Sequence, residues 1–238
     1  MWNRSENQIE LFLIRHGATK ANREHRYLGK TEEPLSEEGR EQLKTFQKQN
    51  IYPDPASIRL LFVSPMERCR ETAELLFGEC EQKVIPEFRE MDFGLFEGKN
   101  YQDLQGNVQY QAWIDSNGTL PFPGGESRED FIARCKSGFE EMLRIVTEQT
   151  KDKTEEKETV ENKKAADKEN AEGQEITDGS RKIVAVVHGG TIMAVCSSFF
   201  GGEYYDFRIG NGEGYRCKVT VNQQSGEIQI TDLCKLVK

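Results

Sequence analysis

Three short apolar runs constrain what this chain can become. Residues 9–14 (IELFLI), 60–63 (LLFV) and 182–187 (KIVAVV) are almost continuously apolar. Their length suits a strand and falls far short of the roughly 20 residues a membrane span needs. A strand that is apolar throughout, instead of alternating, must be covered on both faces, which is the habit of a parallel sheet. Helical patterns lie between the runs: 36–49 with Ser36 as N-cap, 64–77 opening on Ser64-Pro65 and closed by Gly78, 101–115, 127–146 with Ser127 and Asp130 placed as a capping box, and 191–200. Residues 84–85 read as a short extended piece, and the tail reads as a hairpin over 215–221 and 227–233, turning at Ser225-Gly226. Strand–helix alternation predicts a three-layer α/β/α fold, a mostly parallel central sheet with helices on both faces. Ligands of such folds bind at the carboxyl ends of the strands.

Composition qualifies this picture at one place. The 238 residues carry a net charge of −9 and a mean hydropathy of −0.72, low for a packed enzyme. Residues 149–180 account for much of it, holding six lysines and ten acidic residues with almost no apolar side chain. Such a stretch cannot offset the entropy of ordering it against a core, so it reads as a surface insertion, disordered or partly helical, with a solvated single helix as the alternative. The remaining 206 or so residues make one domain interrupted once. The negative charge speaks against nucleic acid, no run is long enough for a membrane helix, and the first residues resemble no secretory leader. Six scattered cysteines without a Cys-x-x-Cys pair imply neither a disulfide frame nor a structural zinc, and a reduced cytoplasmic setting. Oligomeric state is not legible.

Two of the three histidines follow directly on apolar runs: Arg15-His16-Gly17 after the first and His188-Gly189-Gly190 after the third. The other, His25, sits between charged neighbours and reads as an exposed loop residue. A lone His after a strand is as often a hydrogen-bonded structural residue as a catalytic one. Two of them, each followed by a glycine that lets a ligand approach the backbone, favour chemistry.

Four blocks then carry a resemblance. They are Arg15-His16-Gly17-Ala18-Thr19-Lys20-Ala21-Asn22, Ser64-Pro65-Met66-Glu67-Arg68-Cys69-Arg70-Glu71-Thr72-Ala73, Phe88-Arg89-Glu90-Met91-Asp92-Phe93-Gly94-Leu95-Phe96-Glu97-Gly98, and His188-Gly189-Gly190. In this order they resemble the histidine phosphatase superfamily, also called phosphoglycerate mutase-like, along the whole chain outside the acidic insertion. Ala18 departs from a Glu common in that family. The resemblance implies His16 as nucleophile, Arg15, Arg68 and His188 as phosphate-binding and catalytic groups, and Glu90 as the acid, with Glu87, Asp92 and Glu97 as rivals. It implies Asn22, Gly29 and Gly189 as further phosphate contacts. Residues 27–39 and 122–127 resemble small bacterial members of the family, including alpha-ribazole phosphatases. The expected substrate is a small phosphorylated metabolite, with alpha-ribazole 5′-phosphate foremost; a mutase and a silent phospho-ligand sensor are the alternatives.

Chemistry ties these residue types together. A phosphomonoester is dianionic, and in-line transfer spreads charge over its oxygens. Guanidinium forks match those oxygens, a neutral imidazole can attack phosphorus, and a carboxyl group can supply the leaving oxygen with a proton. The nucleophile's other ring nitrogen must be held, and a backbone carbonyl is the expected partner. No metal or other cofactor is required. Rival phosphate chemistries lack their motifs: Gly29-Lys30-Thr31 has Glu24 where a Walker loop needs glycine, no Cys precedes an Arg by six positions, and no Gly-x-Ser-x-Gly or Asp-x-Asp occurs.

Overall fold

The computed structural model describes residues 8–164, 182–222 and 225–237. A six-stranded mixed sheet runs through its centre in the order β3-β2-β4-β1-β5-β6. Strands β1 (Gln8–Arg15), β2 (Ile58–Val63), β3 (Gln82–Val84) and β4 (Lys182–Val187) are parallel to one another, while β5 (Gly214–Val221) and β6 (Ile228–Lys235) form an antiparallel hairpin against β1.

The apolar runs are covered on both faces, as their composition demands. Leu11, Leu13, Phe62, Ile183, Ala185 and Val187 pack on one face against Phe139 and Met142 of α5 (Arg128–Lys164) and Ile192 and Val195 of α6 (Gly189–Phe199). Phe12, Ile14, Leu61, Val63, Val184 and Val186 pack on the other against Leu43 of α2 (Glu37–Lys48) and Ala73 and Leu76 of α3 (Glu67–Phe77). The period-two alternation within each strand thus divides one continuous apolar run between two cores. A third cluster, centred on Phe96, Phe122 and Phe131, sits beyond the sheet, beside the short α4 (Val108–Asp115). The smallest helix, α1 (Lys20–Arg23), follows β1.

Sheet register is what builds the site. Arg15 pairs with Val187 and Val63 with Val186, so β1, β4 and β2 end side by side and the residues that follow them converge. The His16 amide donates to the Val187 carbonyl at 2.9 Å, and the Ser64 amide to the Val186 carbonyl at 3.0 Å. Because β5 runs antiparallel, its first residues lie at the same end of the sheet, and the Gly212 amide lies 3.1 Å from the Arg15 and His16 carbonyls.

Three boundaries differ from the sequence expectation. Residues 101–106 are turns, not helix, because the Asn100 carboxamide accepts the Gln102 and Asp103 amides and Gly106 takes a φ of +79°; α4 begins only after the Asn107 cap. Helix α3 starts at Glu67 instead of Pro65, because Met66 is extended and the Ser64 hydroxyl is drawn to His188. Helix α5 runs on through Lys164, well past residue 146. The first part of the acidic insertion is therefore helical, and 165–180 lie outside the described residues. Among the described residues no helix is long and apolar enough to cross a membrane.

Candidate active site

His16 is buried, 2% exposed, at the end of the central strand. Its Nδ1 lies 2.7 Å from the carbonyl oxygen of Gly17. A carbonyl only accepts, so Nδ1 carries the proton and Nε2 keeps its lone pair. Burial, followed by the positive charges of Arg68 and Arg15, holds this imidazole well below the usual histidine range. The ring is therefore neutral and correctly tautomerised for attack. The turn after it is tight: the Gly17 amide donates to Thr72 Oγ1 at 3.0 Å, and a Cβ on Gly17 would come within 2.6 Å of Leu43.

Two guanidinium groups flank it. Arg15 donates from Nη1 to the Ile209 carbonyl at 2.7 Å. Arg68, fully buried, donates to the carbonyls of Thr31 at 3.0 Å and Gly29 at 2.8 Å. Backbone carbonyls thus aim both forks, yet the Nε of each is buried with no partner in the protein. A buried cationic N–H left unpaired costs on the order of 1–3 kcal/mol or more, and two of them side by side suit an anion. Gly189 completes the cradle at the N-terminus of α6, where a Cβ would stand 3.3 Å from Arg15 Nε. The open helix end adds its own partial positive charge.

His188 caps that helix with its ring 5.1 Å from the His16 ring. Its Nε2 lies 2.7 Å from Ser64 Oγ, and its Nδ1 lies 3.9 Å from Glu90 Oε2. Burial, then Arg68, His16 and Arg15, lowers this imidazole too, so both histidines are neutral before an anion arrives. A bound phosphate dianion reverses the sign of that field and favours protonated His188.

The four carboxylates that compete for the role of acid separate cleanly. Glu90 is pushed up from the ordinary carboxylate range by burial, against the pull of the Met91 amide, Arg68, Arg15 and Arg134. Burial also raises Asp92, but the Lys30 ammonium at 2.8 Å and the Gly94 amide hold it below its usual range overall. Glu97 takes the amides of Gly29, Lys30 and Phe93 and the hydroxyl of Thr31, all between 2.9 and 3.2 Å, and so ties two loops together. Glu87 turns toward α5, where a Cβ on Gly138 would stand 2.7 Å from its own Cβ. Only Glu90 is both favoured in its protonated form and next to His188.

The remaining expected contacts divide. Asn22 caps α1 reciprocally with Thr19, and its Oδ1 also accepts from Asn211 Nδ2 at 3.1 Å. The same Asn211 amide lies 3.2 Å from the His16 carbonyl, which ties Asn22 to the His16 backbone. Gly29 departs from the expectation of a phosphate donor. Its amide is taken by Glu97 and its carbonyl by Arg68, and any side chain there would strike the Met91 carbonyl at 1.9 Å. It positions the arginine instead of touching the anion. Sequence reading passed over Ser64 and Asn211. Ser64 follows an apolar strand as His16 and His188 do, which was a usable signal; Asn211 has none without the antiparallel strand beside it. Cys69, 3.5 Å from His188, is pushed up to about 12 by burial and stays a thiol. Among the described residues no three His, Cys, Asp or Glu side chains converge as a metal site.

On the far side of Glu90 lies a cavity of about 290 Å³. Tyr27, Phe93, Trp113, Phe122, Tyr204 and Tyr205 line it, with Arg128 and Arg208. Their rings pack edge and face, Trp113 on Phe122 and Phe93 on Phe122 both at 4.9 Å between centroids.

Comparison with known proteins gives the family and the fold. An adenosylcobalamin/alpha-ribazole phosphatase of Escherichia coli (strain K12) is 34% identical over 151 residues, 58% of this chain and 71% of that protein. A probable phosphoglycerate mutase GpmB of Enterobacter sp. (strain 638) is 26% identical over 141 residues, 58% of this chain and 64% of that one. The chain thus spans about two thirds of the length of these relatives. Among solved structures, a putative alpha-ribazole-5′-P phosphatase from Escherichia coli K-12 superposes with a TM-score of 0.64 at 22% identity, covering 94% of this chain and 95% of that one. A phosphoserine phosphatase mutant from Entamoeba histolytica, in complex with phosphoserine, gives 0.62 at 23%, covering 94% and 96%. At such identities these structures show a shared fold. Residues 11–152 match the model of one family, and by that match the chain belongs to the histidine phosphatase superfamily (branch 1).

Proposed function

We propose that this chain hydrolyses a small phosphomonoester by way of a phosphohistidine on His16. The observation that carries this reading is the pair of orphaned buried donors, Arg15 Nε and Arg68 Nε, next to an imidazole whose Nε2 lone pair is free. The dianion fills the cradle of Arg15, Arg68 and the amide end of α6, and draws a proton onto His188. His16 Nε2 then bonds to phosphorus while the bond from phosphorus to the ester oxygen breaks. Glu90, whose protonated form is favoured by burial, gives its proton to that oxygen as it leaves. As carboxylate it next takes a proton from water. The water oxygen attacks phosphorus, the bond to His16 breaks, and inorganic phosphate departs. Asn22, whose Oδ1 is engaged by Thr19 and Asn211, keeps its Nδ2 for the anion.

Arg15, Arg68 and His188 supply the charge neutralisation, so activity is expected to survive EDTA. The direct test is an acid quench during turnover. Acid-labile, base-stable phosphate on His16 supports the reading, and phosphate on Ser or Asp overturns it.

By relatedness alone alpha-ribazole 5′-phosphate stands first among candidate metabolites, because a relative 34% identical is named for that ester; the cavity beside Glu90 has room for a ring. A mutase is the second reading, favoured by relatives named probable phosphoglycerate mutase. Six aromatic side chains beside the acid suit a glycerate poorly. Conversion of 3-phosphoglycerate without release of phosphate would establish the mutase. Failure to turn over any ester, p-nitrophenyl phosphate included, would leave a phospho-ligand sensor. The setting we infer is cytoplasmic, because six scattered cysteines without a Cys-x-x-Cys pair suit a reducing compartment.

A further inference from the structure

The cavity beyond Glu90 combines aromatic rings with two cations that have no partner. The guanidinium carbon of Arg208 lies 4.4 Å from the centre of the Tyr205 ring, and that of Arg128 lies 5.8 Å from the same centre. Both stand beside the same ring, at most about 10 Å apart. Neither has a hydrogen bond or an acidic partner among the described residues; their interactions are with tyrosine rings. Arg134, further along α5, is the contrast. Its fork is fully engaged by Glu126 at 2.7 and 2.9 Å and by the carbonyls of Glu87 and Arg89. The wall offers one more unused donor, the indole Nε1 of Trp113, which is buried without a partner.

With Arg128 half-buried and Arg208 exposed, the rim of this cavity is positively charged, and its wall holds one unpartnered donor, Trp113 Nε1. Two guanidinium groups on one tyrosine gain some cation–π attraction but repel each other, and a shared anion would turn that repulsion into attraction. The one acid in the lining, Glu90, has its proton committed to the leaving oxygen. A volume near 290 Å³ is at the small end for ligand pockets and suits a single substituted ring or a compact ring pair.

We propose that the alcohol half of the substrate is a ring-sized apolar group carrying a second acidic group, a carboxylate or phosphate, received by Arg128 and Arg208. This rests on the phosphomonoesterase reading of His16 and Glu90. It goes beyond that reading: alpha-ribazole 5′-phosphate has no second acidic group, so an ester that carries one should be preferred to it.

The test compares benzyl phosphate, 4-carboxybenzyl phosphate and the methyl ester of the latter. The para substituent is insulated from the leaving oxygen by a methylene, so all three demand nearly the same help from Glu90. We expect kcat/KM for the carboxylate to exceed that for its methyl ester by about tenfold, the usual worth of a charge-assisted contact. In the Arg128→Gln/Arg208→Gln protein that ratio should fall to near one. Equal rates on the carboxylate and the methyl ester in the unmodified protein overturn the proposal, as does an undiminished ratio in a double variant of native melting temperature. Should none of the three esters turn over, nor p-nitrophenyl phosphate, the phosphatase reading fails by itself. The same ratio is then taken from Kd by calorimetry with the carboxylate and its methyl ester, and a ratio near one again overturns the proposal.

Discussion

The two halves of the proposed site, one for phosphate and one for the alcohol, are held by different means. His16, Ser64 and His188 each follow directly on a strand, and the hydrogen bonds of the sheet place them. Tyr27, Phe93, Trp113 and Phe122 come from turns, loops and the short α4, and they are placed by ring against ring at 4.9–6.3 Å between centroids. A backbone ladder fixes atoms with little freedom, which in-line transfer requires. A packed set of rings can be re-cut by single substitutions without disturbing the ladder. The first half should therefore set whether phosphate is transferred, and the second from which alcohol. Glu90 belongs to both, facing His188 on one side and lining the cavity on the other.

The most severe way to test this division is His16→Ala. Loss of the nucleophile should reduce turnover about 10⁴-fold or more on every ester, whatever its alcohol. A loss that varied with the alcohol would break the separation. Glu90→Gln should show the opposite selectivity. Alkyl phosphates, which leave as basic alkoxides, should lose about 10²–10⁴-fold, whereas the phenol burst from a nitrophenyl ester should change far less. Equal losses in the burst phase would reassign Glu90 to positioning and reopen Glu87, Asp92 and Glu97.

The two halves also oppose each other in pH dependence. His16 and His188 are neutral when folded and titrate near 6.5 when unfolded. Below that pH the unfolded chain takes up protons the folded one does not, so their contribution is intact above about pH 6.5 and lost as pH falls. Glu90 has its folded value raised, so it gains stability as pH falls toward 4.5 and partly offsets the loss. In the Glu90→Gln protein, denaturant unfolding should lose about 2 kcal/mol between pH 6.5 and 5.5 from the two histidines. A loss of about 1 kcal/mol or less would show that at least one of them is already charged in the folded protein.

Trp113→Ala probes the alcohol half alone. Removal of ring contacts should lower kcat/KM for benzyl phosphate about tenfold and leave ethyl phosphate within twofold. Equal losses would mean that Trp113 supports the phosphate cradle. The smallest effect belongs to the acidic insertion. We take it as a surface addition to a single domain, so replacing residues 150–178 by a short Gly/Ser linker should move the melting temperature by no more than a few degrees. A large drop would show that the segment packs. A drop in turnover alone would make it a lid.

The three apolar runs determined most of the architecture, because strand length and two-sided burial are local patterns, and the His-Gly pairs marked two candidate histidines; the choice of His16 as nucleophile came only with the family resemblance. The order of the four blocks likewise named Arg68 and Glu90 before any contact was known. Only the folded chain decided the rest. Ser64 meets His188 across 124 residues of sequence, and Asn211 meets His16 across 195. Neither pairing is written in any local period. Glu90 and Glu97 look alike in sequence and differ because burial raises the first while three backbone amides and a threonine hydroxyl claim the second. Gly29 changed from an expected anion donor to a support for Arg68 for the same reason: a hydrogen-bonding group does what its three-dimensional neighbours leave it free to do, and those neighbours are set by sheet register and packing, not by position along the chain.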